Sequence, residues 1–220
     1  MRVRRFVEQV ADFSSPSVFN PYRDTCPHAD QAEAPRIRRE NLERALTACL
    51  RLRVDTIWIA RDLGYRGGRR TGLALTDEAN LDGYGSLLEV CLRRATKGPI
   101  VAERTAAVVW QVIKSFNRPI FLWNVFPFHP HESSNELSNR CHTRPEREQC
   151  KPILLELMDL LQPTTIIAIG NDAQNGLADL GIGASGVRHP SYGGKSDFVA
   201  GLARLYGLGL PAPTQRLLAL

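Results

Sequence analysis

The chain of 220 residues is 43% hydrophobic and carries a formal net charge of +5, enough apolar content to bury one substantial core, so a single domain over residues 1–220 is expected. Its cations are overwhelmingly arginine, with lysine only at Lys97, Lys114, Lys151 and Lys195; guanidinium suits bidentate phosphate contact and points to nucleic acid, although base composition of the coding sequence would also favour arginine. Five cysteines (Cys26, Cys49, Cys91, Cys141 and Cys150) with no C-x-x-C pair exclude a disulfide framework and a four-thiolate cluster and fit a reducing cytoplasm.

The chain opens basic at Met1-Arg2-Val3-Arg4-Arg5-Phe6, but Glu8 and Asp12 follow in place of an apolar run, which argues against a signal peptide or a membrane span. Residues 12–35, and later 126–144, are rich in Pro, Ser, Asn and His and read as loops, the second long enough to be functional. From Ile37 to Arg53, Leu42, Leu46, Cys49 and Leu50 fall at helical spacing. Short apolar runs at Asp55–Ala60, Pro119–Asn124 and Thr164–Ile169 read as buried strands. Gly85–Ala95 and Val101–Phe116 read as helices, and Pro145–Leu161 opens on Pro and Glu and stops before Gln162-Pro163, as a helix should. A fourth strand is expected near Gly186-Val187-Arg188, and the tail from Gly207 shows no helical period. The alternation gives an α/β fold, a three-layer α/β/α sandwich around a small, mostly parallel four-stranded sheet.

Ligands of such sheets sit beyond the carboxyl ends of the strands. Asp62 follows the first strand, Asn124 closes the second, Asn171-Asp172 follow the third and His189 follows the fourth, so these polar residues share one edge. In the loop Asp62–Gly72, Arg66, Arg69 and Arg70 attract phosphate while Gly67 and Gly68 let backbone approach it; the plain alternative is that the glycines turn the chain and the arginines are solvated. A carboxylate inside a cationic loop repels that same phosphate. Activating water or opposing a developing cation would give it a purpose. At His189-Pro190-Ser191 the proline fixes the backbone, Ser191 can bond phosphate, and Gly193, Gly194 and Lys195 leave a cationic opening, against the alternative of a structural histidine. Asn124 either caps backbone groups or reads a pyrimidine edge, with Phe126 or Phe128 near enough to stack. Gly181–Gly186 satisfies G-x-G-x-x-G, yet follows a helix and leads into a strand, the reverse of the dinucleotide context. His129, His131, Cys141, His142 and Cys150 are metal-ligating types whose spacing matches no structural zinc finger.

These segments, in order and spacing, resemble the uracil-DNA glycosylase superfamily, whose members share a strand-end loop of the form G-x-[DNA]-P-x, a later strand ending in Asn and a final H-P-[SA] loop. The resemblance runs from about Asp55 to Phe198. Asn124-Val125, Thr143-Arg144-Pro145 with Cys150, and Pro163–Gly170 are similar in layout to the iron–sulfur branch. Of that branch's four ligands only Cys150 has a clear counterpart, with Phe128 standing near another, so neither a cluster nor any other metal or cofactor is expected.

The resemblance implies that Asp62 activates water and that His189 stabilises negative charge on the departing base, these two being the catalytic residues. It places Asn124 as the uracil-reading amide, with Tyr65, Leu75, Phe126 and Phe128 around the base. Leu75 stands where an aromatic usually stacks, a job that can pass to Tyr65, Phe126 or Phe128. Arg66, Arg69, Arg70, Ser191, Tyr192 and Lys195 are implied to contact DNA, Tyr192 as the wedge because Gly193 stands where a leucine inserts elsewhere. Ala60 and Leu63 replace a glycine and a proline of the first motif. The expectation is a cytoplasmic, monomeric, monofunctional glycosylase of base-excision repair that removes uracil from single- or double-stranded DNA, releases free uracil and binds no membrane. Action on another deaminated or mismatched base, non-catalytic binding of damaged DNA, and hydrolysis of a phosphorylated small molecule by an unrelated α/β enzyme are the alternatives.

Overall fold

The computed structural model describes residues 1–116 and 118–207; the tail beyond Gly207 lies outside them. Four short strands, β2 (Thr56–Ala60), β3 (Phe121–Asn124), β5 (Thr165–Ile169) and β6 (Ser185–Val187), form a wholly parallel sheet in the order β3-β2-β5-β6. β2, β3 and β5 were legible from their apolar runs, which are apolar because helices cover both faces of the sheet; β6, expected near Gly186-Val187-Arg188, is a short Ser-Gly-Val segment in which only Val187 is buried. Ile57 aligns with Phe121 and Ile59 with Trp123, so these side chains share a face, and there Phe6 of the first helix meets Trp123 at 5.9 Å. Trp58 points to the opposite face, edge-on to Phe198 and Phe116.

The helices are α1 (Arg2–Asp12), α2 (Ala34–Leu52), the single turn α3 (Gly68–Thr71), α4 (Leu81–Leu88), α5 (Arg104–Phe116), α6 (Arg144–Leu161), α7 (Asn171–Asp179) and α8 (Lys195–Leu205). Helix α6 begins with a capping box in which Thr143 and Glu146 satisfy each other's backbone N–H groups, the device that the Thr-x-x-Glu spacing encodes.

Two expectations need correction, and one helix went unread. The basic start is helix α1, whose Phe6, Val7 and Val10 are buried; the i, i+1, i+4 apolar spacing carried the signal beneath the charges. The helix read over Gly85–Ala95 instead spans Leu81–Leu88 and ends where Glu89 turns left-handed at φ 57°. Gly85 there runs so close to the Val90 carbonyl that any side chain would collide with it. Within the two segments read as loops, β1 (Val18–Phe19) pairs antiparallel with β4 (His129–Pro130). Two-residue strands carry too little period to be read from sequence. No helix among the described residues is long and apolar enough to cross a membrane.

Candidate active site

The carboxyl ends of β2, β3, β5 and β6 bring the polar residues to one edge of the sheet. Past the end of the ladder, β2 and β3 stay bonded: Val125 N–H donates to the Ala60 carbonyl and Phe126 N–H to that of Arg61, both at 2.9 Å, and Leu63 N–H donates to Phe128 at 3.0 Å. This zipper fixes the path of the chain through Asp62, two residues beyond the Ala60–Asn124 pair. His129 locks the same turn by donating from Nδ1 to the Leu63 carbonyl at 2.8 Å, and burial pushes the imidazole down to about 4.

Among the described residues, the hydrogen bonds and ion pairs of the Asp62 carboxylate fall on one oxygen. Oδ2 accepts from Arg61 Nε at 2.8 Å and from the His142 backbone N–H at 3.3 Å, with His142 Nδ1 at 3.4 Å. Arg61 also donates from Nη1 to Asp172 Oδ2 at 2.8 Å, tying the end of β2 to the first turn of α7. Burial opposes the Arg61 charge, but the carboxylates of Asp62 and Asp172 outweigh it and hold the guanidinium protonated.

His189 stands two residues past β6. Its Nδ1 lies 2.7 Å from Ser191 Oγ and receives the Ser191 backbone N–H at 3.2 Å. A backbone amide can only donate, so Nδ1 is bare and the neutral ring carries its hydrogen on Nε2. Burial first, then the Arg61 charge, hold the imidazole below its ordinary 6.5, against Asp172 and Asp62. Glycines set the ring's position: a Cβ on Gly170, whose φ is +88°, would sit 3.1 Å from His189 Cβ, and one on Gly194 would strike the His189 carbonyl.

Asn124 is 1% exposed, and neither Oδ1 nor Nδ2 has a hydrogen-bond partner among the described residues. A buried amide left unpaired costs on the order of 1–3 kcal/mol. Native folds keep such a group where an outside molecule completes it.

The rest of the residue set is dispersed. Arg66 is exposed and donates from Nε to the Tyr65 hydroxyl at 2.7 Å, lying over that ring. Arg69, read as a DNA contact, is instead 3% exposed, its guanidinium 3.9 Å above Phe19. Arg70, read the same way, is paired at 3.2 Å with the buried Glu78. Both arginines turn inward because α3 winds the loop back onto the body, which glycine-rich sequence does not reveal.

The expected base-stacking surfaces are also covered. Leu75 is buried at φ 54°, with its carbonyl accepting from Trp110. Phe128 stacks on Phe13 at 4.3 Å and Phe126 lies 5.2 Å from the His142 ring. Tyr65 remains half-buried at the surface of the loop. Ser191 is engaged with His189, Tyr192 is 98% exposed at φ 51°, and Lys195 is exposed at the start of α8.

Sequence reasoning passed over Arg61 and Glu103 and weighed His142 only as a metal-ligating type. The Glu103 carboxyl lies against Gly64 and Gly67, and burial first, then Asp77, raise it to about 7. Only Arg61 left a local sign, an opposite charge adjoining Asp62 at a strand end. Cys150 is buried in α6, and burial pushes its thiol up, with Glu146 adding to the effect.

A family model described as the uracil DNA glycosylase superfamily matches residues 63–207. The chain belongs to that superfamily, a class of DNA-repair glycosidases that hydrolyse the bond between base and sugar. Among solved structures, that of wild-type SMUG2 from Pedobacter heparinus is similar in fold, with a TM-score of 0.62 and 12% sequence identity over 94% of this chain and 97% of that one. No curated protein sequence matches the chain.

Proposed function

We propose that this protein is a monofunctional glycosylase that removes uracil from DNA and leaves an abasic site. The observation that carries this reading is the buried, unpaired amide of Asn124 at the carboxyl end of β3. Uracil offers it a complementary edge: Nδ2–H donates to O4 and Oδ1 accepts from N3–H. Cytosine presents the reverse pattern, and a mismatched buried pair is rejected by a large factor.

As the glycosidic bond stretches, positive charge grows on the sugar and negative charge on the base. Asp62 opposes the first and takes a proton from the attacking water, whose oxygen bonds C1′ as the C1′–N1 electron pair leaves with the base. His189, neutral with hydrogen on Nε2, donates to the departing base as its charge develops. Exposed Arg66, Lys195 and Arg188 suit phosphate contact, and exposed Tyr192 suits insertion into the stack vacated by the extruded nucleotide. Lys195, the lysine nearest His189 in sequence, opens α8 at the surface, which favours hydrolysis over a Schiff base that would cut the strand.

The test is incubation with uracil-containing single- and double-stranded oligonucleotides followed by alkali. Wild-type cleavage that drops by roughly two orders of magnitude or more in Asp62→Asn and in His189→Ala supports the reading. Absence of cleavage at high enzyme concentration overturns it. A second reading, action on a deaminated purine, is favoured by the covered faces of Phe126 and Phe128 and by aliphatic Leu75. Hypoxanthine presents the same carbonyl and N–H edge to Asn124, and a lesion panel separates the two substrates.

A further inference from the structure

The loop between β4 and α6 delivers a second histidine to the catalytic carboxylate. His142 immediately precedes Thr143, the N-cap of α6, so the capping box fixes the direction in which the chain arrives. Arg140 secures the approach with a fork onto Glu146, Nη1 to Oε2 at 2.9 Å and Nη2 to Oε1 at 2.6 Å, and with bonds to the carbonyls of His131 at 2.9 Å and Ser17 at 3.1 Å. The His142 ring then lies at 30° to Phe126, and its side chain is 4% exposed.

In that position Nδ1 is buried and forms no completed hydrogen bond among the described residues, with Asp62 Oδ2 3.4 Å away. A carboxylate oxygen only accepts, so a bare nitrogen lone pair facing it would be repulsive; the hydrogen belongs on Nδ1. Catalytic hydrogen bonds are often long in the free enzyme and tighten when substrate arrives. With Arg61 and the His142 backbone N–H already on Oδ2, the polar contacts of the carboxylate among the described residues lie on the same oxygen.

We propose that His142 is a positioning residue of the hydrolytic half of the site: its backbone N–H and its ring Nδ1–H hold Asp62 by Oδ2, so that Oδ1 is presented to the water. This rests on the glycosylase reading above for the identity of the water's target, but not for the pairing itself. It gives the loop through His129–His142 a purpose, since the β1–β4 pairing and the Arg140 fork both serve to bring His142 to Asp62. A displaced carboxylate would leave base recognition by Asn124 and phosphate contacts untouched, while misaligning the attack on C1′.

Two measurements test it on the purified full chain. Long-range 1H–15N spectra of the histidine rings are expected to show His142 with hydrogen on Nδ1 in the wild type, and a changed Nδ1 signal in Asp62→Ala. Single-turnover cleavage of a deoxyuridine-containing oligonucleotide is expected to fall by about 10²-fold in His142→Ala, the scale of a misplaced reacting group, with affinity for the same oligonucleotide unchanged. His142→Asn carries an amide N–H in the place of Nδ1 and is expected to recover most of the rate. Hydrogen on Nε2 alone in the wild type, a full rate in His142→Ala, or no recovery in His142→Asn would overturn the proposal. If the wild type releases no uracil, the functional reading fails while the ring spectra still decide whether His142 holds Asp62.

Discussion

Gly170 leaves room for His189: a Cβ on this glycine, which follows β5 at φ +88°, would stand 3.1 Å from His189 Cβ. Gly170→Ala must therefore both strain its own backbone, which at φ 88° and ψ 157° lies in a region kept almost wholly for glycine, at roughly 1–3 kcal/mol, and move the imidazole proposed to serve the departing base. The expected outcome is a modest drop in melting temperature together with a loss of about 10²-fold in single-turnover rate. A variant as active as the wild type would show that His189 does not depend on this contact.

Asn124 is held at a cost to the fold. Replacing its unpaired amide by an apolar group of similar volume removes that cost, so Asn124→Leu should raise stability by about 1–3 kcal/mol in denaturant unfolding. Base excision by the same variant should collapse by roughly 10²–10⁴-fold, because the edge-reading donor and acceptor are gone. Destabilisation in this variant would mean that the amide finds partners in the free protein.

The rate should hold at mildly acidic pH, since burial first and the Arg61 charge second keep His189 below 6.5. Arg61→Gln deletes the cation and leaves Asp62 and Asp172, both of which favour the imidazolium. Its acid limb is therefore expected to move to higher pH, in addition to a lower plateau from the freed carboxylates. A pH–rate profile of the two proteins reads this, and an unshifted limb would remove Arg61 from the electrostatics of His189.

His129 and Glu103 give stability opposite pH slopes. His129, pushed down to about 4 by burial, binds a proton first in the unfolded chain, so its contribution is lost as pH falls from 6.5. Glu103, raised to about 7, holds its proton longer in the fold, so its contribution is lost as pH rises from 4.5 through that value. Between these limits the two slopes, each at most about 1.4 kcal/mol per pH unit, largely cancel. Glu103→Gln should expose the first slope and lose stability on acidification, whereas His129→Asn should lose it as pH rises. Urea titrations across this range would show both.

Arg66 and Arg70 lie four residues apart and should behave differently. Arg66→Ala should lower the salt dependence of DNA binding by about one unit of the log–log slope, without change in melting temperature. Arg70→Ala strips a partner from buried Glu78 and should cost about 1–3 kcal/mol of stability with the salt slope intact. Equal effects on binding would return Arg70 to the DNA-facing surface.

Much of the architecture was readable because it is local. Continuous apolar runs of about five or six residues bounded by turns suit strands covered by helices on both faces, and the Thr143–Glu146 spacing and Pro145 announced helix α6. The rule that ligands gather at strand carboxyl ends then brought Asp62, Asn124 and His189 to one edge. Composition misled at α1, where charge masked three buried apolar residues, and in the arginine loop, where a turn of helix sends Arg69 and Arg70 inward.

The sequence by itself determined the parallel α/β sheet and the residues that edge the site, because hydrophobic periodicity and turn chemistry act over a few neighbouring residues. The tertiary structure alone decided that Asn124 finds no partner among the described residues, that Gly170 shapes the seat of His189 and that His142 comes to Asp62 from 80 residues away along the chain. Those relationships depend on distances between elements remote in sequence, where burial and charge are set by whatever the fold happens to bring alongside.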